Sequence, residues 1–194
     1  MHGTKHAMET VNGLTLVVGR RRLVDWVAET AGVAPGSTVV DVGCGPGSAA
    51  RAAANRGAHV IGVDPSPAML RLAERFTPRR LASTIEYERG TAEHLPVPDA
   101  MADIVWAIAS AHHFADIATA LRECRRICTE SGTVLVVERH VRPGARGHAA
   151  HGLTDEGAEE TAGAAFDAGF ANVRTETVAL GRKRFVLVRA ECEG

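Results

Sequence analysis

Residues 39–50 read VVDVGCGPGSAA: an apolar run Val39-Val40, the acid Asp41, three glycines at 43, 45 and 47, then small residues from Ser48 onward. A buried strand that breaks at a glycine-rich turn and restarts as an alanine-rich helix is the first β-to-α crossover of an open α/β sheet. Such a turn lets the backbone approach a ligand where a side chain would collide. The question is which ligand. A phosphate-binding P-loop needs a Gly-Lys-Ser/Thr ending, and no lysine is present here. A dinucleotide turn spaces its glycines as G-x-G-x-x-G, whereas position 48 is Ser and the third glycine stands one residue early, at Gly47. Asp41, two residues before Gly43, suits a cationic group and repels a pyrophosphate. Asp64 follows Gly43 by 21 residues (64 − 43) and ends the second apolar strand, where a carboxylate can accept from both hydroxyls of a ribose. Asp64 serves a nicotinamide dinucleotide or another adenosine-bearing ligand equally, so Asp41 and the glycine spacing discriminate.

Working outward, periodicity predicts a helix over 15–31, a strand over 38–42 and a helix over 48–56. A strand over 59–63 leads to a helix over 67–76, with Met69, Leu70 and Leu72 as its packing face. A more exposed strand over 85–88 and a strongly apolar one over 103–108 follow. Asp116 is placed to cap a helix carrying Ile117, Ala120, Leu121, Cys124, Ile127 and Cys128 on one face. Ser131-Gly132 turns the chain into a strand over 133–137, and Thr154 caps a last helix that Gly169 closes. Two final strands, 171–178 and 184–188, have no helix between them and are expected to pair antiparallel at one edge. The rest of the order implies a parallel sheet with helices on both faces.

Composition is that of an ordinary globular chain: 194 residues, 45% hydrophobic, 23% charged, formal net charge −1. The charge balance gives no general attraction to nucleic acid or anionic membrane, and the basic clusters at 20–22, 79–80 and 182–184 are expected as solvated faces. No apolar run reaches the roughly 18 residues a membrane span requires. With no apolar signal core at the N-terminus, a cytoplasmic protein is expected. Cys44, Cys124, Cys128 and Cys192 form no C-x-x-C pair and are expected as free thiols, with 124 and 128 in the core. One domain is expected, an N-terminal helical cap over 1–36 and a ligand-binding core over 37–194.

Five segments in order resemble the class I S-adenosylmethionine-dependent methyltransferases. Asp41-Val42-Gly43-Cys44-Gly45-Pro46-Gly47 matches their acid-x-Gly-x-Gly-x-Gly loop. VIGVDPSPAML (60–70), GTAEHLPVPDAMADIVWAIASAHHF (90–114), ALRECRRICTESGTVLVVE (120–138) and DAGFANV (167–173) are similar to later motifs. The branch most similar is that of small-molecule enzymes typified by quinone-biosynthesis C-methyltransferases. The resemblance implies a Rossmann-like, doubly wound seven-stranded sheet of order 3-2-1-4-5-7-6, strand 7 antiparallel. It implies S-adenosylmethionine as cofactor, S-adenosylhomocysteine as product, a small-molecule acceptor, and no nucleic-acid or membrane partner, in a monomer or homodimer.

Carried over by position, Gly43, Cys44, Gly45 and Gly47 line the methionine portion and Asp41 reaches its ammonium. Asp64 holds the ribose, Pro65 and Met69 flank the adenine, and Ala92 and Glu93 meet the adenine edge. Ile108 and Ala109 present carbonyls to the ammonium. Thr91 stands where the family often has Asp, which removes a charge from the adenine side. His112 and His113 are the candidate general bases, and His140 is a weaker one. His140, His148 and His151 lie in a Gly/Arg/His-rich stretch (139–152) read as an acceptor loop; it offers no cysteine and no fixed geometry, so no metal is assigned. Two other readings stay open from the residues: a nicotinamide oxidoreductase, and a cofactor-binding protein without transferase activity.

Overall fold

A computed structural model describes residues 21–147 and 151–192. Residues 15–20 of the expected first helix, much of the N-terminal cap, and His148 lie outside the described residues. Helix α1 (Arg21–Thr30) precedes β1 (Thr38–Val42), α2 (Ser48–Ala54), β2 (His59–Asp64), α3 (Pro67–Phe76) and β3 (Ile85–Arg89). Then come β4 (Ala102–Ile108), α4 (Ile117–Ile127), β5 (Cys128–Arg139), α5 (Asp155–Asp167), β6 (Ala171–Leu180) and β7 (Lys183–Glu191). The strands form one seven-stranded sheet of order β3-β2-β1-β4-β5-β7-β6. Pairing is parallel from β3 to β5, and β7 runs antiparallel to both β5 and β6. The expected order and the reversed strand are both present.

Strands β1, β2, β4 and β5 are largely apolar on both faces because helices cover both sides, whereas β3 and β6 at the two edges carry mostly exposed or half-buried residues. Alternation sorts the residues. Val40 and Val42 of β1 join Val105 and Ala107 of β4 and the inner face of α4 (Ala120, Leu121, Cys124, Ile127). Val39 joins Ile104, Trp106 and Ile108 under α1 and α2. Burying Leu23, Val24 and Val27 of α1 on that side contributes about 1.5–3 kcal/mol for each large side chain. The cysteines are buried free thiols.

Caps fall where the sequence placed them. Asp116 Oδ1 accepts from the amides of Ala118 (2.9 Å) and Thr119 (3.3 Å), and Thr154 Oγ1 from Gly157 (3.1 Å). Three features differ. The Ser131-Gly132 turn is a bulge inside β5: Ala102 pairs with Cys128 but Ile104 with Thr133, and a Cβ on Gly132 would sit 2.5 Å from Cys128 Sγ. Helix α3 buries only Ala73 fully, so Met69, Leu70 and Leu72 are half-buried. Arg126, on the face of α4 away from its apolar side, is tied to the loop before β4 rather than left to solvent. It binds the carbonyls of Leu95 (3.0 Å) and Val97 (2.8 Å), Asp99 (2.7 Å) and Glu123 (2.7 Å), pinning the loop before β4 to α4. No helix among the described residues is long and apolar enough to cross a membrane.

Candidate active site

The parallel strands end together at Val42, Asp64, Ile108 and Arg139. Strand order reverses at β1, whose neighbours are β2 and β4, so the crossovers diverge there and leave a crevice. A cavity of about 910 Å³ opens at this edge, and it reaches from the β1 loop to residues of β5 and β7.

The glycine loop is fixed by its neighbours. The amides of Gly43 and Cys44 both donate to the Val63 carbonyl (2.8 and 3.0 Å), and the Gly45 amide donates to Asp64 Oδ2 (2.8 Å). Gly43 has φ +71°, and a Cβ there would lie 2.5 Å from Ser110 Cβ, so only glycine fits. Ser110 itself is buried and donates its hydroxyl to the Val42 carbonyl (2.8 Å), tying the end of β4 to the end of β1. At Gly45, with φ +53°, a Cβ would meet nothing within 4 Å, which leaves that face of the loop open. Gly47 is different. It does not line the cavity; it caps α2 at φ 75° and packs against Tyr87 and Arg51.

Two acids sit beneath this loop. Asp64, 7% exposed, is held at Oδ2 by Gly45 and at Oδ1 by the Ser66 amide (2.9 Å). Asp41 is 2% exposed and its carboxyl is pushed up to about 7. Burial is the main cause; the Trp106 indole and the Ala50 amide work the other way, Asp64 adds like-charge repulsion and Arg51 a weaker attraction. Trp106 is the register partner of Asp41, yet neither Asp41 Oδ2 nor Trp106 Nε1 completes a hydrogen bond. Burial likewise pushes the Cys44 thiol far up, aided by Asp41 and Asp64, so the thiol keeps its proton.

The structure brings Asp41, Gly43, Cys44, Gly45, Asp64, Pro65 and Met69 to the cavity, with Ala92 and Glu93 from the β3–β4 loop. Ile108, Ala109, His112 and His113 reach it from the end of β4. Ala109 adopts φ 53° with its amide on the Val137 carbonyl (2.7 Å). Glu93 is committed: its Oε1 accepts from the amides of Ala115 (2.7 Å) and Asp116 (3.3 Å). Partial burial works to raise its carboxyl, but those amides, its own, and the Thr91 hydroxyl outweigh it and hold it low.

The far side of the cavity was legible in part: His112, His113 and the loop over 139–152 were expected on the acceptor side, but not the contacts that join them. Glu138, 0% exposed, ends the apolar run of β5 and gives both oxygens to His112: Oε2 lies 2.9 Å from Nδ1, and Oε1 accepts the amide at 3.3 Å. His151 comes up beside His112 and His113, with ring centroids 5.1 and 5.6 Å away. His140 does not join them; its Nε2 is 3.0 Å from Asp155 Oδ1. Lys183 and Phe185 of β7 and Leu23 and Val24 of α1 complete this side. An acid closing an otherwise apolar strand at the ligand edge was the one signal in the sequence for Glu138. Ser110 had none; His151 was expected in the acceptor loop, but only tertiary approach sets it beside His112 and His113.

The residues fit an adenosine-bearing cation: a glycine-only cradle, an open backbone face at Gly45, and two buried acids, one with an orphaned oxygen. Comparison with known proteins agrees. Residues 40–136 match the family model described as a methyltransferase domain. The chain belongs to the class I S-adenosylmethionine-dependent methyltransferases, whose cofactor is S-adenosylmethionine. It is 35% identical over 102 residues to an uncharacterized methyltransferase of Bacillus subtilis (strain 168), YcgJ, covering 53% of this chain and 40% of that protein. It is 36% identical over 115 residues to the ubiquinone biosynthesis O-methyltransferase of Pseudomonas paraeruginosa (strain DSM 24068 / PA7), covering 58% and 48%. A SAM-dependent methyltransferase from Aquifex aeolicus superposes with TM-score 0.77 at 18% identity, covering 94% of this chain and 97% of that one. The chain thus matches less than half the length of these two curated relatives.

Proposed function

We propose that the protein transfers a methyl group to a small-molecule acceptor bound between the glycine loop and the histidines. S-adenosylmethionine, when bound, supplies an electrophilic methyl carried on a sulfonium. The chain's own residues do the rest. Gly43, Cys44 and Gly45 bring backbone against the amino-acid end, and Asp41 offsets its charge, helped by Ile108 and Ala109 at the tip of β4. Asp64, held by two amides, keeps lone pairs for the ribose hydroxyls. Pro65, Met69 and Ala92 wall the adenine side. Gly47 acts indirectly, by setting the turn, and Glu93 by holding the start of α4.

On the acceptor side, positioning and exclusion of water matter most. Leu23, Val24 and Phe185 offer apolar wall for a small, flat molecule. Glu138 fixes the His112 tautomer by taking Nδ1–H, which leaves Nε2 to accept the acceptor's proton; His113 is its neighbour on the same turn. The match to an O-methyltransferase of ubiquinone biosynthesis supports a phenolic or quinol acceptor within the quinone-type branch. A single domain over 1–194, residues 1–36 capping the core at 37–194, working in the cytoplasm as a monomer or homodimer, is part of the same reading.

The observation that carries it is the pairing of the Gly43–Ser110 cradle with the buried acids Asp41 and Asp64. The test incubates the protein with S-adenosylmethionine and panels of phenols, quinols, thiols and amines, and measures S-adenosylhomocysteine release. Turnover with at least one acceptor, lost in Asp64→Ala, is expected. Binding of the cofactor with no turnover across the panel would favour a cofactor-binding protein without transferase activity.

A further inference from the structure

Three imidazoles converge on the acceptor side from two parts of the chain. His112 and His113 lie on the tight turn after β4, and His151 precedes α5. Their ring centroids are 4.0, 5.1 and 5.6 Å apart, and each ring places a nitrogen within 4.8 Å of the others'. We propose that His112, His113 and His151 bind one divalent transition-metal ion, of which zinc suits three imidazoles best, with the fourth position open to the cavity.

Imidazole nitrogen favours zinc, cobalt, nickel or copper over magnesium and calcium. Three histidines with one open position is a donor set used where zinc meets a substrate. Zinc–nitrogen bonds of about 2.0–2.1 Å in a tetrahedron put the nitrogens about 3.3 Å apart, so the rings close by about 1.5 Å or less, within ordinary side-chain rotation. His113 and His151 are both exposed, so solvent and an incoming ion reach their rings.

Glu138 is the second and independent observation. It is fully buried at the end of an apolar strand, and both its oxygens go to His112. A carboxylate on Nδ1–H sets the tautomer, leaves Nε2 for the ion, and strengthens it as a donor. A cation one ring away also offsets the negative charge that this burial isolates. In the metal-free protein His112 takes the acceptor's proton itself. With the ion in place, an acidic O–H or S–H of a phenol or thiol fills the open position as the anion and its proton passes to solvent. Only that last step rests on the methyl-transfer reading; the ion site does not.

The test uses the full chain, free of any affinity tag and stripped with a chelator. Zinc alone is titrated calorimetrically, and bound metal is counted after dialysis. One zinc per chain with micromolar or tighter affinity is expected. Cobalt should give the visible bands of a four-coordinate nitrogen/oxygen site without sulfur charge transfer. His113→Ala and His151→Ala should each weaken zinc by at least about 30-fold and Glu138→Gln by about 10-fold, while His140→Ala leaves it unchanged. Metal-free His113→Ala and His151→Ala are melted beside the metal-free wild type, so that a loss of zinc affinity in a folded variant is told apart from a loss of the fold. Less than a tenth of an equivalent bound, unchanged affinity in both exposed-histidine variants, or a sulfur charge-transfer band would overturn the site. S-adenosylhomocysteine binding to the metal-free wild type reads the other proposal separately. Zinc without S-adenosylhomocysteine binding supports the ion site alone, and the reverse overturns the ion site alone.

Discussion

The two halves of the cavity are built differently. The cofactor half is local: Asp41, Gly43, Cys44 and Gly45 lie on one crossover, and their closest tie, Asp64, comes from the adjacent parallel strand. Its geometry follows from strand, turn and helix, with glycines where φ is positive. The acceptor half is assembled at long range. His112 depends on Glu138, 26 residues on, and meets His151 only because the segment after β5 folds back, with His140 bridging Leu153. A local site is rigid and readable; a distant one varies with each connecting loop, which is where relatives on one fold diverge. Substitutions in the first half are therefore expected to act on cofactor affinity and folding together, and those in the second on acceptor chemistry.

The largest effect is expected for Gly43→Ala. The new Cβ meets Ser110 at 2.5 Å in a left-handed backbone. Overpacking plus backbone strain should cost on the order of 3 kcal/mol in denaturant melts and abolish measurable S-adenosylhomocysteine binding. Adding Ser110→Gly should recover part of both losses, because the collision goes and the φ strain stays. If the double variant is as poor as the single, the cradle is not the cause.

Next is Asp64→Ala, which strips two backbone amides of a charged acceptor. The same change removes the charged acceptor proposed for the ribose hydroxyls; one hydrogen bond to a charged group is worth about 1.5–3 kcal/mol, so affinity for S-adenosylhomocysteine should fall about 10- to 100-fold. An unchanged affinity by calorimetry would remove Asp64 from the cofactor half.

Asp41 gives a pH signature. Its carboxyl moves from 3.8 to about 7 on folding, so the folded state holds the proton more tightly than the unfolded one. A raised carboxyl therefore destabilises the fold as pH climbs from about 4 to 7, and the full cost stands above 7. Asp41→Asn should raise the melting temperature of the ligand-free protein at pH 8, by the equivalent of a few kcal/mol at most, and do little at pH 4. The same change should weaken S-adenosylmethionine binding at pH 8, where a cation offsets the buried charge. A variant that melts lower at pH 8 would contradict this account.

The smallest effect on the cofactor half should come from Glu138→Gln. S-adenosylhomocysteine affinity is expected to stay within about threefold, because Glu138 touches only the acceptor side. Turnover at a fixed pH should fall as His112 loses the carboxylate that orients its ring. A large loss of cofactor affinity would erase the contrast between the two halves.

This contrast also explains what could be read from residues alone. The sheet order, the reversed β7, the two helix caps and the free cysteines follow from patterning and motif order that short segments carry. The acid-and-glycine loop announces its ligand class because every residue in it answers a local demand. Gly47 looked the same as Gly43 and Gly45 in sequence, yet it faces Tyr87 rather than the cavity, since strand-to-strand packing decides which way a turn points. Glu93, expected at the adenine edge, and Arg126 both turn out to hold loops in place, which no local pattern shows. Glu138 was visible only as the end of an apolar strand. His151 sat in a stretch read as the acceptor loop, but nothing in its composition says which side chains the loop brings together.

The central claim is that the crossover at Gly43 holds an adenosine-bearing cation between Asp41 and Asp64. The most direct measurement is calorimetric titration of the metal-free wild type with S-adenosylhomocysteine and, separately, with NAD and NADP at pH 8. One-to-one binding of S-adenosylhomocysteine at micromolar affinity, with neither dinucleotide bound, is the predicted result. Binding of a dinucleotide while S-adenosylhomocysteine gives no heat or thermal shift would contradict it.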